Sequence, residues 1–135
     1  MKFTLGLDEL DVLVKHLPKD GIILLVGDLA SGKTTLTKHI VSHHKIDQNV
    51  TSPTFSIMQT YIGENFTIYH YDIYQNGLDG MIKNGLIENL FQDGLHIVEW
   101  GDERLERLLK KYELPYTKII ITQTDDARTY EVESA

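Results

Sequence analysis

The clearest chemistry in the sequence lies in Gly27-Asp28-Leu29-Ala30-Ser31-Gly32-Lys33-Thr34, two glycines, a lysine and a hydroxyl at fixed spacing. Gly27 and Gly32 permit positive φ and close backbone approach, so successive amide N–H groups can turn inward around phosphate oxygens. Lys33 then sets an ammonium against the β- and γ-phosphates, and the Thr34 hydroxyl can ligate Mg²⁺. The helix expected to start here adds its positive end to the same anion site. The pattern reads as a phosphate-binding P-loop. The bland alternative is a Gly-rich strand-to-helix turn without a ligand. The apolar run 22–26 before it and the helix-like segment through Val41 after it supply the context that a P-loop requires.

A P-loop alone binds phosphate, whereas hydrolysis or transfer also needs carboxylates at the ends of neighbouring strands. Glu99 ends the apolar run 95–98, where a Walker B acid would stand, and could hold Mg²⁺ directly or through water. Asp72 ends the preceding strand and could orient an attacking water or support the metal shell. Simpler roles compete: Glu99 as a solubilising strand-end acid, Asp72 as the acid that starts a turn at 73–77. His70 shares a strand face with Asp72, because side chains alternate with period two, and reads as a packed, hydrogen-bonded residue before it reads as a catalyst. Trp100 is either core or a ring at the mouth of the nucleotide site. Thr51-Ser52-Pro53-Thr54-Phe55 is extended, since residues before proline avoid the helical region, and is a candidate sensor of nucleotide state. His43, His44 and His96 lack partners at metal-ligand spacing, so no zinc site is assigned.

The elements that must position these groups follow from periodicity. Residues 3–5 read as a short strand, and Leu7, Leu10, Val14 and Leu17 as one face of a helix. The continuous apolar run 22–26 suits a parallel strand buried on both faces. Segments 56–61 and 66–72, separated by Ile62-Gly63-Glu64-Asn65, predict a β-hairpin. Leu78 to Phe91 gives a helical pattern interrupted by Asn84-Gly85, hence one kinked helix or two short ones. A buried strand at 95–100, a helical stripe from Leu105 to Tyr112, and closing strands at 118–124 and 129–132 complete the chain. Together these predict an α/β fold: a single P-loop NTPase-like domain over residues 1–135. Its central mixed sheet has a parallel core with an antiparallel hairpin and edge strands, flanked by helices.

Composition narrows the function class. With 135 residues, 41% hydrophobic and 24% charged, the chain suits one globular core. No apolar run approaches the ~20 residues of a membrane span. The absence of cysteine and of a signal-peptide pattern makes the cytoplasm the expected location. A formal net charge of −7 disfavours stable direct nucleic-acid binding. The basic run Arg104, Arg107, Lys110 and Lys111 alternates with Glu103 and Glu106 and reads as a solvated helix face.

Four motifs in order, residues 27–35 (GDLASGKTT), 51–55 (TSPTF), 70–74 (HYDIY) and 98–100 (VEW), make the sequence similar to the TsaE (YjeE) family, small bacterial ATPases of tRNA threonylcarbamoyladenosine synthesis. The resemblance implies an Mg²⁺-dependent ATPase that cycles ATP and ADP, works with TsaD and TsaB proteins, and supports modification of adenosine 37 in tRNAs reading ANN codons. Transfer chemistry would belong to TsaD. The implied nucleotide contacts are Asp28, Leu29, Ala30, Ser31, Gly32, Lys33, Thr34, Thr35 and Thr54. Thr34 and Glu99 would serve the metal, with Asp72, Glu99 and Lys33 as the catalytic set. Thr51, Ser52 and Thr54 would form a switch-like loop. The sequence departs from the family pattern at Gln75, where Arg is usual, at Gly101, where Pro is usual, and at Asp11, where a Thr near the adenine is frequent. Two other functions fit a P-loop: a small-molecule kinase, and a nucleotide-gated interaction module. A kinase usually carries an Arg-bearing lid, yet the arginines are Arg104, Arg107 and Arg128, with none in 78–93.

Overall fold

A computed structural model describes residues 1–27, 32–46, 57–64, 66–74, 77–123 and 127–134. Asp28, Leu29, Ala30, Ser31, the sensor candidates Thr51, Ser52 and Thr54, and Gln75 lie outside the described residues. The elements run β1 (Lys2–Leu5), a 3-10 turn (Leu7–Glu9), α1 (Leu10–Val14), β2 (Gly21–Val26), α2 (Lys33–His43), β3 (Met58–Ile62) and β4 (Thr67–Asp72). They continue as α3 (Gly77–Lys83), α4 (Leu86–Asn89), β5 (Leu95–Glu99), α5 (Glu103–Lys111), β6 (Tyr116–Gln123) and β7 (Arg128–Ser134).

Among the described residues the seven strands form one sheet in the order β1-β7-β6-β2-β5-β4-β3. Its centre is parallel, with β2 between β5 and β6 and with β4 beside β5. The hairpin pair β3/β4 and the outer pairs β6/β7 and β1/β7 are antiparallel. This is the mixed α/β arrangement expected from the sequence. The two middle strands are the most apolar, because both of their faces are covered: every residue of β5, including Glu99, is buried.

Each face has its own core. Ile23, Leu25, Ile97 and Ile119 meet Leu36, Ile40 and Val41 of α2 and Leu10, Leu13 and Val14 of α1. On the opposite face Leu24, Val98 and Tyr71 pack with Leu78, Met81, Leu105 and Leu109 from α3 and α5. Burying a side chain of this size is worth roughly 1.5–3 kcal/mol. The three apolar residues of α2 therefore hold the helix against the sheet far more firmly than intrinsic helix propensity would.

Three local details differ from, or sharpen, the sequence reading. The first helix is a 3-10 turn followed by a five-residue α-helix, shorter than the Leu7 to Leu17 periodicity predicts. The 78–91 pattern resolves into two helices, with Gly85 at φ 71° between them. β6 begins at Tyr116, directly after Pro115. Among the described residues no helix is long and apolar enough to cross a membrane.

Candidate functional site

The site forms where β2 hands the chain to α2. Gly32 takes φ 107° and accepts the first helical hydrogen bond from Leu36 N at 2.9 Å. Lys33 and Thr34 are thus the first residues of an eleven-residue helix whose N-terminal end faces the carboxyl ends of the parallel strands. The φ of Gly32 favours glycine, and a Cβ there would lie 3.0 Å from Arg128 Nε, so a side chain would also have to displace the guanidinium. Lys33 is only 5% exposed. Its ammonium donates to Gly27 O at 2.7 Å and stands 3.9 Å from the centroid of the Trp100 ring, a cation–π contact.

Glu99 approaches from β5. It is 2% exposed, and its Oε2 accepts from the Thr34 hydroxyl at 3.4 Å. The same oxygen meets Nε2 of His70, which is fully buried on β4. His70 Nδ1 lies 3.5 Å from the Tyr61 hydroxyl, which donates to Gln59 Oε1 at 3.0 Å. The register explains the convergence. Asp72 is paired with Glu99 and His70 with Ile97, so all four side chains share one sheet face, the face on which α2 packs. Asp72 is half-buried, and its Oδ1 accepts from Tyr74 N at 3.0 Å. Its turn-forming role is therefore realised, alongside a position next to Glu99.

Trp100 follows Glu99 at φ 67°, an uncommon conformation for a non-glycine residue. Its N–H still donates to Leu25 O at 3.3 Å, and its ring meets Tyr74 at 4.6 Å between centroids. Arg128, the first residue of β7, lies against Gly32 from the other side. Its Nε is buried and has no hydrogen-bond partner among the described residues.

The comparisons with known proteins fit this geometry. The model of the family described as threonylcarbamoyl adenosine biosynthesis protein TsaE matches residues 7–130. The chain belongs to the TsaE family. A TsaE protein from Rickettsia felis is 38% identical over 92 residues, 67% of this chain and 54% of that relative. One from Treponema pallidum is 33% identical over 102 residues, 75% and 74% of the two chains. One from Haemophilus influenzae is 31% identical over 124 residues, 90% and 76%. The chain thus spans about half the length of the Rickettsia felis relative it matches. The crystal structure of Bacillus subtilis YdiB superposes with a TM-score of 0.71 at 26% identity, covering 100% of this chain and 84% of that one.

In this TsaE-family chain the described members of the expected set, Gly32, Lys33, Thr34, Thr35, Asp72 and Glu99, come from α2 and the residue that precedes it, β4 and β5. Thr34 and Glu99 meet directly, the Lys33 ammonium lies against Gly27 O and Trp100, Asp72 is the register neighbour of Glu99, and Thr35 is half-buried one residue further along α2. Two residues carry more than the sequence reading gave them. His70 is indeed packed and hydrogen-bonded, but to the candidate metal acid itself. Arg128 reaches the P-loop from the far end of the chain, a proximity that only the pairing of β6 with β7 creates.

The residues fit the expected ligands. An orphaned guanidinium N–H beside the loop suits an anion, and a threonine hydroxyl within hydrogen-bond reach of a carboxylate gives the hard oxygen donors that Mg²⁺ prefers. Mg²⁺ is ordinarily held by one or two protein oxygens together with phosphate oxygens and water.

Proposed function

We propose that the chain is an Mg²⁺-dependent ATPase, converting ATP and water to ADP and phosphate. It would act as the nucleotide-cycling subunit for threonylcarbamoylation of adenosine 37 in tRNAs that read ANN codons, together with TsaD- and TsaB-type proteins. The observation that carries the reading is the junction of Thr34 with Glu99. It joins a P-loop hydroxyl to a buried acid at the carboxyl end of the adjacent parallel strand, the edge on which an open α/β sheet takes its ligand.

On this reading the amides of residues 28–32 and the N-terminal end of α2 surround the phosphates. Lys33 turns its ammonium to the β- and γ-oxygens, while Trp100 and the Gly27 carbonyl keep that ammonium in the site. Arg128 adds a second cation from the opposite side. Thr34 and Glu99 would hold Mg²⁺, which would supply positive charge to offset that of the phosphates. Asp72 orients the attacking water in line with the leaving oxygen. Thr35 and Thr54 complete the nucleotide contacts. The gain comes from positioning and fixed charge in a site sheltered from water.

Radiolabelled ATP turnover tests the reading, with the purified chain alone and with TsaB and TsaD. Phosphate release that rises with the partners is the expected result. Lys33→Ala and Glu99→Ala should abolish it while leaving the far-UV circular dichroism unchanged. Absence of both binding and turnover under every condition would remove the ATPase assignment. ATP-dependent partner binding without phosphate release would instead identify a nucleotide-gated module.

A further inference from the structure

Glu99 is a buried acid, at 2% exposure on the central strand β5. A carboxylate so buried is tolerated only with hydrogen-bonding or charged partners. Among the described residues its hydrogen-bonding contacts come from two directions and fall on one oxygen: the Thr34 hydroxyl from α2 at 3.4 Å and the His70 ring from β4. The His70 side chain has no exposed surface, so it cannot swing away without disturbing the sheet face. Tyr61, 1% exposed, sets its hydroxyl 3.0 Å from Gln59 Oε1 and 3.5 Å from His70 Nδ1. Gln59, Tyr61, His70 and Glu99 thus form a chain of contacts from the outermost strand β3, through β4, to β5.

We propose that His70 is a positioning residue for the Glu99 carboxylate, with Tyr61 holding His70, so that the β3/β4 hairpin sets the orientation of the acid that faces Thr34. The inference rests on the reading of Glu99 as the metal-side acid. Groups that orient a metal-binding side chain typically change metal affinity ten- to a hundredfold when removed, whereas a purely structural residue has no such selective effect.

The test uses the full chain with Mn²⁺ as the probe. Free Mn²⁺ is read by electron paramagnetic resonance in the presence of saturating ADP, and ADP affinity is measured separately by calorimetry in EDTA. His70→Leu should weaken Mn²⁺ binding about tenfold or more and leave ADP affinity in EDTA unchanged. His70→Gln, whose amide can still donate to Glu99, should recover much of the loss. Wild-type Mn²⁺ affinity in folded His70→Leu overturns the proposal, as does an equal loss of ADP binding in EDTA. Should His70→Leu fail to fold, Tyr61→Phe decides: removal of that single hydroxyl should weaken Mn²⁺ binding several-fold, and unchanged affinity overturns the proposal. Glu99→Gln separates the two levels. If it loses Mn²⁺ while His70→Leu keeps it, only the role of His70 fails. If it binds Mn²⁺ as the wild type does, the reading of Glu99 fails and the role of His70 falls with it.

Discussion

At the scale of single residues, the candidate site is an economy of neighbours. Arg128 shows this most plainly: its buried Nε has no hydrogen-bond partner among the described residues and lies beside the loop expected to surround phosphate. A charge-assisted hydrogen bond is worth about 1.5–3 kcal/mol, so Arg128→Ala should weaken ATP binding by roughly ten- to a hundredfold. Arg128→Lys should recover only part, because an ammonium lacks the guanidinium's planar set of donors. Calorimetry that finds wild-type affinity in Arg128→Ala would place the guanidinium outside the nucleotide site. Lys33, Thr34 and Glu99 were legible in the sequence because each belongs to a local pattern, a glycine-spaced loop or an acid after an apolar run. Arg128 carries no such pattern. Its place depends on β7 pairing with β6, a contact between strands that local periodicity does not report.

At the scale of elements, the existence and order of strands and helices followed from periodicity, but register did not. Period-two alternation put His70 and Asp72 on one face; only the parallel pairing of β4 with β5 sets that face against Glu99. The first helix is short for a related reason, since apolar spacing records which residues face the core and not whether the turns between them are α or 3-10. The turn into β5 offers a sharp test. Gly94 has φ 128°, and a Cβ there would sit 2.5 Å from the Thr67 carbonyl oxygen. Gly94→Ala must therefore strain the backbone or push β4 aside, at a cost of about 2–4 kcal/mol. A denaturation midpoint equal to that of the wild type would show that the turn can relax without cost.

At the scale of the whole molecule, stability should depend on pH through the second core. His96 is buried and stacked on Tyr69; it accepts from the Tyr71 hydroxyl at 2.7 Å and donates to Gln92 O at 2.8 Å. Burial holds its pKa below the ordinary 6.5, partly opposed by the Gln92 carbonyl. The folded state therefore prefers the neutral ring. The resulting stabilisation is complete above pH 6.5 and is lost as the pH falls from there through the lower folded value. The difference in denaturation midpoint between the wild type and His96→Gln should accordingly narrow between pH 7.5 and pH 5.5, and a constant difference would exclude His96 as the source. The net charge of −7 acts at the same scale: it opposes association with a nucleic-acid backbone. The chain also contains a single tryptophan, and that indole lies 3.9 Å from the ammonium of Lys33. Any ligand that draws Lys33 toward phosphate must change the polarity around the molecule's only indole, so the protein carries an intrinsic optical reporter. Its emission at 295 nm excitation should change on ADP addition, saturate at the calorimetric affinity and stay silent in Lys33→Ala, allowing occupancy to be followed in real time without a label.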